Sequence, residues 1–153
     1  MLNLPENFKS YSEARQEGFI RLKGLKESGK KVVGVFCSYT PTELILAADA
    51  VPVGLCGASE DPISYAEKTL PKNLCPLIKS SYGFAASDTC PYFYFSDLVV
   101  GETTCDGKKK MFEWMNEIKP THVMQLPPGR TSGTALATWH SEMQRLKDVL
   151  SRT

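Results

Sequence analysis

Apolar residues recur in this chain with two different spacings, and the alternation between them predicts alternating strands and helices. Short apolar runs rich in β-branched residues, typical of buried parallel strands, occupy residues 31–36, 51–55, 98–101 and 121–126. In the intervening stretches apolar residues return at helical spacing, which predicts amphipathic helices. These helices are expected over residues 8–29, 41–50, 64–68, 77–86 and 106–117, and along a last segment that ends near residue 150.

Strands that alternate with helices favour a Rossmann-like, three-layer α/β domain, in which a parallel sheet of about four strands carries helices on both faces. The chain has 153 residues, 42% of them hydrophobic, which is enough for one sizeable core. We therefore expect residues 1–153 to form a single α/β domain. No Gly-x-Gly-x-x-Gly motif follows a predicted strand, so a nicotinamide or flavin dinucleotide site lacks its usual sequence motif.

Charge and hydropathy argue against two classes of partner. The net charge of +1 is too small for a broad nucleic-acid-binding surface. No apolar run approaches the roughly 20 residues that a membrane span needs, and the first residues lack a signal-peptide pattern. We therefore expect a cytoplasmic protein. Its five cysteines are then more typical of metal ligation or burial than of disulfides.

Three cysteines lie at or shortly before predicted helix starts. Cys75 precedes a proline and Cys105 precedes an aspartate, while Cys37 lies shortly before Thr40, which forms a Thr-x-x-Glu capping box with Glu43. If these helices begin at one edge of the sheet, three thiolates meet many free helix N–H groups there. Such a place would stabilise an anionic iron–sulfur cluster. The alternative is that these are ordinary buried cysteines beside helix starts.

Three blocks of sequence also resemble a known family. They read Phe36-Cys-Ser-Tyr-Thr-Pro-Thr-Glu-Leu-Ile45, Leu70-Pro-Lys-Asn-Leu-Cys-Pro-Leu-Ile-Lys79 and Gly101-Glu-Thr-Thr-Cys-Asp-Gly-Lys-Lys-Lys110. In this order they are similar to the 2-hydroxyacyl-CoA dehydratase and benzoyl-CoA reductase subunit family, the D-component group that includes the double-cubane-cluster proteins. The resemblance spans residues 31–127.

The resemblance implies a subunit that holds a [4Fe–4S] or double-cubane cluster by cysteine. An ATP-hydrolysing activator protein would supply low-potential electrons, and a 2-hydroxyacyl-CoA is the implied substrate. Cys75 and Cys105 match family cluster ligands, and Cys37 is assigned as a third ligand because a cysteine there is more like the double-cubane branch. Ser38 and Glu43 are candidate catalytic side chains near the open side of the cluster. Glu43 is equally well explained as the capping-box partner.

Family members are longer than this chain, with a second α/β domain that supplies a further cysteine. The resemblance therefore implies that residues 1–153 correspond to the N-terminal cluster-binding domain, and that a second family subunit or a homodimer completes the site. We therefore expect this chain to be an incomplete enzyme when it is alone. The alternatives are an electron-storage or scaffold iron–sulfur protein without catalysis, and a metal-free α/β assembly module. Cys56 and Cys90 have no family assignment and are treated as structural, with Cys90 as the reserve ligand.

Two further groups of side chains are expected to be structural. The lysines at positions 108–110 are assigned to a solvated helix face, the alternative being contact with CoA phosphates or an acidic partner. His122 and His140 have no evident acidic or nucleophilic partner in the sequence, so satisfied structural roles are expected.

Overall fold

The protein forms alternating strands and helices, and its computed structural model describes residues 7–55 and 57–153. The strands are β1 (Lys31–Val35), β2 (Ala50–Gly54), β3 (Leu98–Glu102) and β4 (Thr121–Met124). The helices are α1 (Asn7–Glu27), α2 (Thr42–Ala47), α3 (Ile63–Ala66), α4 (Pro76–Ala86), α5 (Pro91–Phe95), α6 (Asp106–Asn116) and α7 (Ala135–Leu150). Every predicted strand is present, within one or two residues of its expected bounds.

The four strands form one parallel sheet in the order β2-β1-β3-β4, which confirms the predicted parallel α/β architecture. After β1 the chain first builds β2 on one side and then crosses over to build β3 on the other. The strand order therefore reverses between β1 and β3. In open α/β sheets the crevice beyond the carboxyl ends of such a strand pair is the usual ligand site.

Helices cover both faces of the sheet, as expected of a three-layer domain. One core lies under α4, α5 and α6, and its members include Phe36, Val99, Phe112 and Met115. The other core lies under α2 and α7. It contains Val33, Val35, Ile45, Leu98, Val100, Met124, Leu146 and Leu150. Alternate residues of β3 enter different cores, as the pleat of a strand requires.

The start of α2 departs from the predicted capping box. Pro41 occupies the cap position, and no side-chain hydrogen bond caps the helix among the residues that the structure describes. The hydroxyl of Thr40 instead donates to Oε1 of Glu102 at 2.9 Å, and Glu43 is exposed. The capping-box prediction is therefore wrong, because a long-range carboxylate binds the threonine that the local motif assigned to the helix. Leu136, at the start of α7, is 80% exposed and so does not belong to the buried face of that helix.

Each edge strand has an outward-facing position whose backbone donor is either missing or already bonded. Leu55 N–H donates to Val35 O at 3.0 Å, and alternate residues of a strand face the same neighbour, so the nitrogen of Pro52 points away from β1. On the other edge, Asn116 Oδ1 accepts from Thr121 N–H at 2.9 Å. Glu142 Oε2 accepts from Gln125 N–H at 3.0 Å.

No helix in the described part of the chain is long and apolar enough to cross a membrane.

Candidate functional site

The candidate site lies at the crevice between β1 and β3, where Cys37 follows the end of β1. Cys37 is half-buried and has a φ of 66°, in the left-handed region that side-chain-bearing residues rarely adopt. Its Sγ lies 3.6 Å from Oγ1 of Thr104, in the loop after β3. The ammonium of Lys108, in the first turn of α6, donates a hydrogen bond to the same sulfur. The cysteine is therefore in contact with the loop and the helix that follow the neighbouring strand.

Cys105 and Cys75 occupy the cap positions of α6 and α4, and both are exposed. Neither side chain forms a capping hydrogen bond within the described structure. The two helix starts pack closely, because a Cβ added at Gly107 would lie 2.7 Å from Ile78 Cδ1 and 3.1 Å from Leu74 Cδ1. Leu74 and Ile78, which lie on either side of Cys75 in the sequence, thus pack against the first turn of α6. Each helix also directs the positive end of its dipole toward its cap.

The side chains of Cys37, Cys75 and Cys105 are of the chemical type that binds iron–sulfur clusters. Thiols are the usual ligands of such clusters, and free N–H groups at two helix starts and the ammonium of Lys108 favour bound negative charge. Among the described residues, no three His, Cys, Asp or Glu side chains converge closely enough to hold a single metal ion. A single zinc ion needs its sulfur ligands at about 2.3 Å from one point, whereas a cluster offers several iron atoms to thiolates that lie farther apart.

The other residues that the sequence singled out lie in different places. Ser38 is exposed beside Cys37, and Glu43 is exposed in the first turn of α2. Cys90 caps α5 and lines a cleft of about 910 Å³ that none of the three candidate ligands lines. Cys56 lies outside the described residues. The catalytic roles of Ser38 and Glu43 stay predictions, since their positions beside the crevice do not test them.

The three lysines of the 108–110 run do not behave alike. Lys109 and Lys110 are exposed and pair with Asp106 and Glu113 on their own helix, as the solvated-face interpretation predicts. Lys108 is half-buried and contacts Cys37. The solvated-face prediction is therefore wrong for Lys108, because the first turn of α6 directs this position at the end of β1.

Sequence reasoning also missed Glu102 and Thr104. Glu102 is fully buried, although the predicted strand stopped at the residue before it. A signal was present, since a glutamate directly after an apolar run sits at the carboxyl end of a buried strand, where ligand sites form. The partners of both side chains lie more than 60 positions away in sequence and were not predictable from local patterns.

Comparison with known proteins identifies the family. The model of the family described as 2-hydroxyglutaryl-CoA dehydratase, D-component, matches residues 37–153. The chain belongs to this family. The predicted resemblance is thereby confirmed, and the match begins at Cys37.

Individual relatives of this D-component family carry dehydratase names. The chain is 59% identical to YjiM of Escherichia coli (strain K12), provisionally named as a dehydratase subunit, over 97% of this chain and 39% of YjiM. It is 33% identical to the (R)-phenyllactyl-CoA dehydratase beta subunit of Clostridium sporogenes, over 59% of this chain and 23% of that subunit. It is 28% identical to the lactoyl-CoA dehydratase subunit beta of Anaerotignum propionicum, over 68% of this chain and 27% of that subunit. The chain thus spans well under half the length of each of these relatives.

Proposed function

We propose that this chain is the cluster-binding part of a 2-hydroxyacyl-CoA dehydratase-type subunit, with Cys37, Cys75 and Cys105 as thiolate ligands. The observation that carries the proposal is the close packing of the starts of α4 and α6 beside the crevice between β1 and β3. This packing supports a common site for cysteines that are 30 to 68 positions apart in sequence. The bound group, a [4Fe–4S] or double-cubane cluster, would supply single electrons at low potential.

The chain's own groups would then hold and surround that site. The first N–H groups of α4 and α6 favour the negative charge of the loaded site, and Lys108 offsets it next to Cys37. Ser38 is exposed on the loop of Cys37, where its hydroxyl is available to hydrogen-bond a substrate. Glu43 is exposed one helical turn farther on, where its carboxylate is available to accept a proton.

The rest of the proposed enzyme lies beyond these residues. The length of YjiM suggests that residues 1–153 act as one domain of a longer assembly, completed by a second domain, a second family subunit or a second copy. Two relatives are named as beta subunits, so those enzymes contain at least one further subunit. By this proposal the partners are an ATP-hydrolysing activator and an acyl-CoA substrate, and the compartment is the cytoplasm.

Anaerobic reconstitution tests the ligand assignment. The purified chain is incubated with iron and sulfide without oxygen, desalted, and assayed for bound iron, bound sulfide and charge-transfer absorbance. The parent is expected to retain a cluster, and the Cys37→Ser/Cys75→Ser/Cys105→Ser variant is expected to retain none. Cys90→Ser is the matched control, because Cys90 also caps a helix but lies in a different cleft. If the parent and the triple variant bound equal amounts of iron, the assignment of these three cysteines as ligands would be wrong.

A metal-free assembly module is the second candidate, and one observation favours it. No three metal-ligating side chains converge among the described residues closely enough for a single ion. This candidate predicts that the parent and the triple variant both emerge from reconstitution without bound iron.

An electron-storage protein would bind the cluster but form no product when a cognate activator, ATP and a 2-hydroxyacyl-CoA are added together with the completing subunit.

A further inference from the structure

Glu102, the last residue of β3, is a fully buried carboxylate beside the candidate site. Its Oε1 accepts hydrogen bonds from the backbone N–H of Thr40 and, at 2.9 Å, from Thr40 Oγ1. Its Oε2 is buried and has no hydrogen-bond partner in the described part of the chain. Glutamate is almost never fully buried unless it is paired, and a half-paired carboxylate is an unfavourable way to stabilise a fold. Glu102 therefore needs an explanation besides packing.

The contact between Glu102 and Thr40 joins two loops that are distant in sequence. Thr40 lies three residues after Cys37, and Cys105 lies three residues after Glu102. Because β1 and β3 are neighbours, the contact crosses the crevice where the strand order reverses. The left-handed backbone of Cys37 is a conformation that persists only when its surroundings hold it. Two hydrogen bonds to a buried carboxylate provide such a restraint.

We propose that Glu102 is a positioning residue that fixes the loop of Cys37 relative to the loop of Cys105. The inference rests on the proposed function, because the spacing of the two sulfurs matters when both bind one cluster. Thr104 and Lys108 contact the Cys37 sulfur itself, whereas Glu102 holds the backbone of the loop that carries it. Glu102 would thus act through Thr40, whose backbone N–H and hydroxyl it binds.

Three substitutions separate positioning from simple stabilisation. Glu102→Leu removes both hydrogen bonds to Thr40, whereas Glu102→Gln keeps a side-chain oxygen that can accept them. Asp97→Leu is the matched control, because Asp97 also accepts a backbone N–H, from Val32 at 2.8 Å, but precedes β3 at the opposite end of the strand. All variants are made in the full 153-residue chain, and far-UV circular dichroism checks their folding.

Two measurements read the position of Cys37. The first is the alkylation rate of each cysteine in the cluster-free protein under native conditions, followed by peptide mass spectrometry with Cys90 as the internal reference. The second, after anaerobic reconstitution, is the electron paramagnetic resonance spectrum of the reduced cluster and its rate of iron loss to a chelator. A merely structural residue would lower the melting temperature without changing these quantities selectively.

Glu102→Leu is expected to raise the ratio of Cys37 to Cys90 alkylation about tenfold, as for the loss of hydrogen bonds to a charged group. Glu102→Leu is also expected to alter the spectrum of the cluster and to speed its loss of iron. For Glu102→Gln, the alkylation ratio and the rate of iron loss should stay within about twofold of the parent's values. Asp97→Leu is expected to lower the melting temperature and leave both readouts unchanged.

The inference is overturned if folded Glu102→Leu leaves the Cys37 to Cys90 ratio unchanged, or if Asp97→Leu raises it equally. Should Glu102→Leu fail to fold, Thr40→Val serves in its place, because it removes the hydrogen bond from the Thr40 hydroxyl to Glu102. Thr40→Ser is its control, because serine keeps a hydroxyl at that position. Failure of the parent to bind iron would instead count against the proposed function. The alkylation ratio in the cluster-free protein would still decide the role of Glu102.

Discussion

The ammonium of Lys108 donates a hydrogen bond to the sulfur of Cys37, across 71 positions of sequence. The contact places a positive charge against a thiol at the crevice between the two central strands. Lys109 and Lys110 follow on the same helix but pair with carboxylates of their own turns. The three consecutive lysines therefore provide a natural comparison, in which only the side chain of Lys108 bonds the sulfur of a candidate ligand.

We expect Lys108→Met to lower the reduction potential of a reconstituted cluster by about 60 mV, which is a tenfold change for a one-electron couple. Removing a nearby positive charge disfavours the reduced, more negative state. Lys109→Met and Lys110→Met make the same change in net charge and should shift the potential much less. Potentiometric titration followed by electron paramagnetic resonance measures all three. Equal shifts in the three variants would mean that Lys108 acts only through overall charge.

Gly101→Ala is expected to destabilise the fold by about 1–3 kcal/mol, as for overpacked cores. A Cβ at Gly101 would lie 2.3 Å from Cζ of Phe112, whose ring packs against this position of β3 and contacts Phe36. Gly24→Ala is the control, because nothing lies within 4 Å of a Cβ at that position of α1. It should be neutral or slightly stabilising. Urea unfolding compares the two variants, and similar free energies of unfolding would contradict the packing account.

Stability is expected to fall as the pH drops below the ordinary pKa of histidine, 6.5. Burial lowers the pKa of His122, the Arg145 charge lowers it further, and Glu142 only partly opposes them. Its Nε2 is buried without a partner among the described residues, so the expectation of a satisfied histidine is wrong. Below pH 6.5 the unfolded chain binds a proton that the folded chain does not, and stability is lost as the pH falls through the lowered pKa.

Comparing free energies of unfolding at about pH 7.5 and about pH 5.5 checks this prediction. His122→Leu should lose less stability over that interval than the parent does. His140→Leu, an exposed position on α7, should keep the loss that the parent shows. If the free energy of unfolding of the parent rose on acidification, the predicted direction of the pH dependence would be wrong.

Asp97 should give a second, more acidic transition. Burial alone would raise its pKa, but hydrogen bonds from Lys26 and from Val32 N–H, together with the Lys26 charge, hold the pKa below 3.8. Its stabilising contribution is therefore present above pH 3.8 and is lost as the pH falls through the lowered value. Asp97→Asn should unfold with a weaker dependence on acid pH than the parent. Asp148→Asn, at an exposed position, should behave as the parent does.

Local patterns were enough to predict the architecture, and long-range contacts explain what they missed. The β-branched run at residues 31–36 and the Cys75–Pro76 step predicted β1 and α4, because strand burial and proline geometry act over a few residues. The same local reasoning assigned Thr40 to a capping box. It could not anticipate Glu102, which lies 62 positions away and is brought to Thr40 by the pairing of β1 with β3.

The sequence was enough to predict which cysteines are candidate ligands and where they lie in the fold. It did not predict which side chains surround them. Cysteines before helix starts indicated an edge of the sheet, and the family resemblance supplied their expected role. The left-handed backbone at Cys37, the half-buried Lys108 and the tight approach at Gly107 depend on how α4 and α6 pack on the sheet. Tertiary packing of this kind leaves no periodic trace in the sequence.

The two outermost strands have a consequence for how the protein behaves in concentrated solution. An imino acid at Pro52 deprives one margin of a donor, and the side chains of Asn116 and Glu142 already occupy donors on the other. Unprotected margins are where sheets of separate molecules join into aggregates. Strand pairing at the first border would therefore find no donor at Pro52, and pairing at the second would have to displace hydrogen bonds that the molecule already makes within itself.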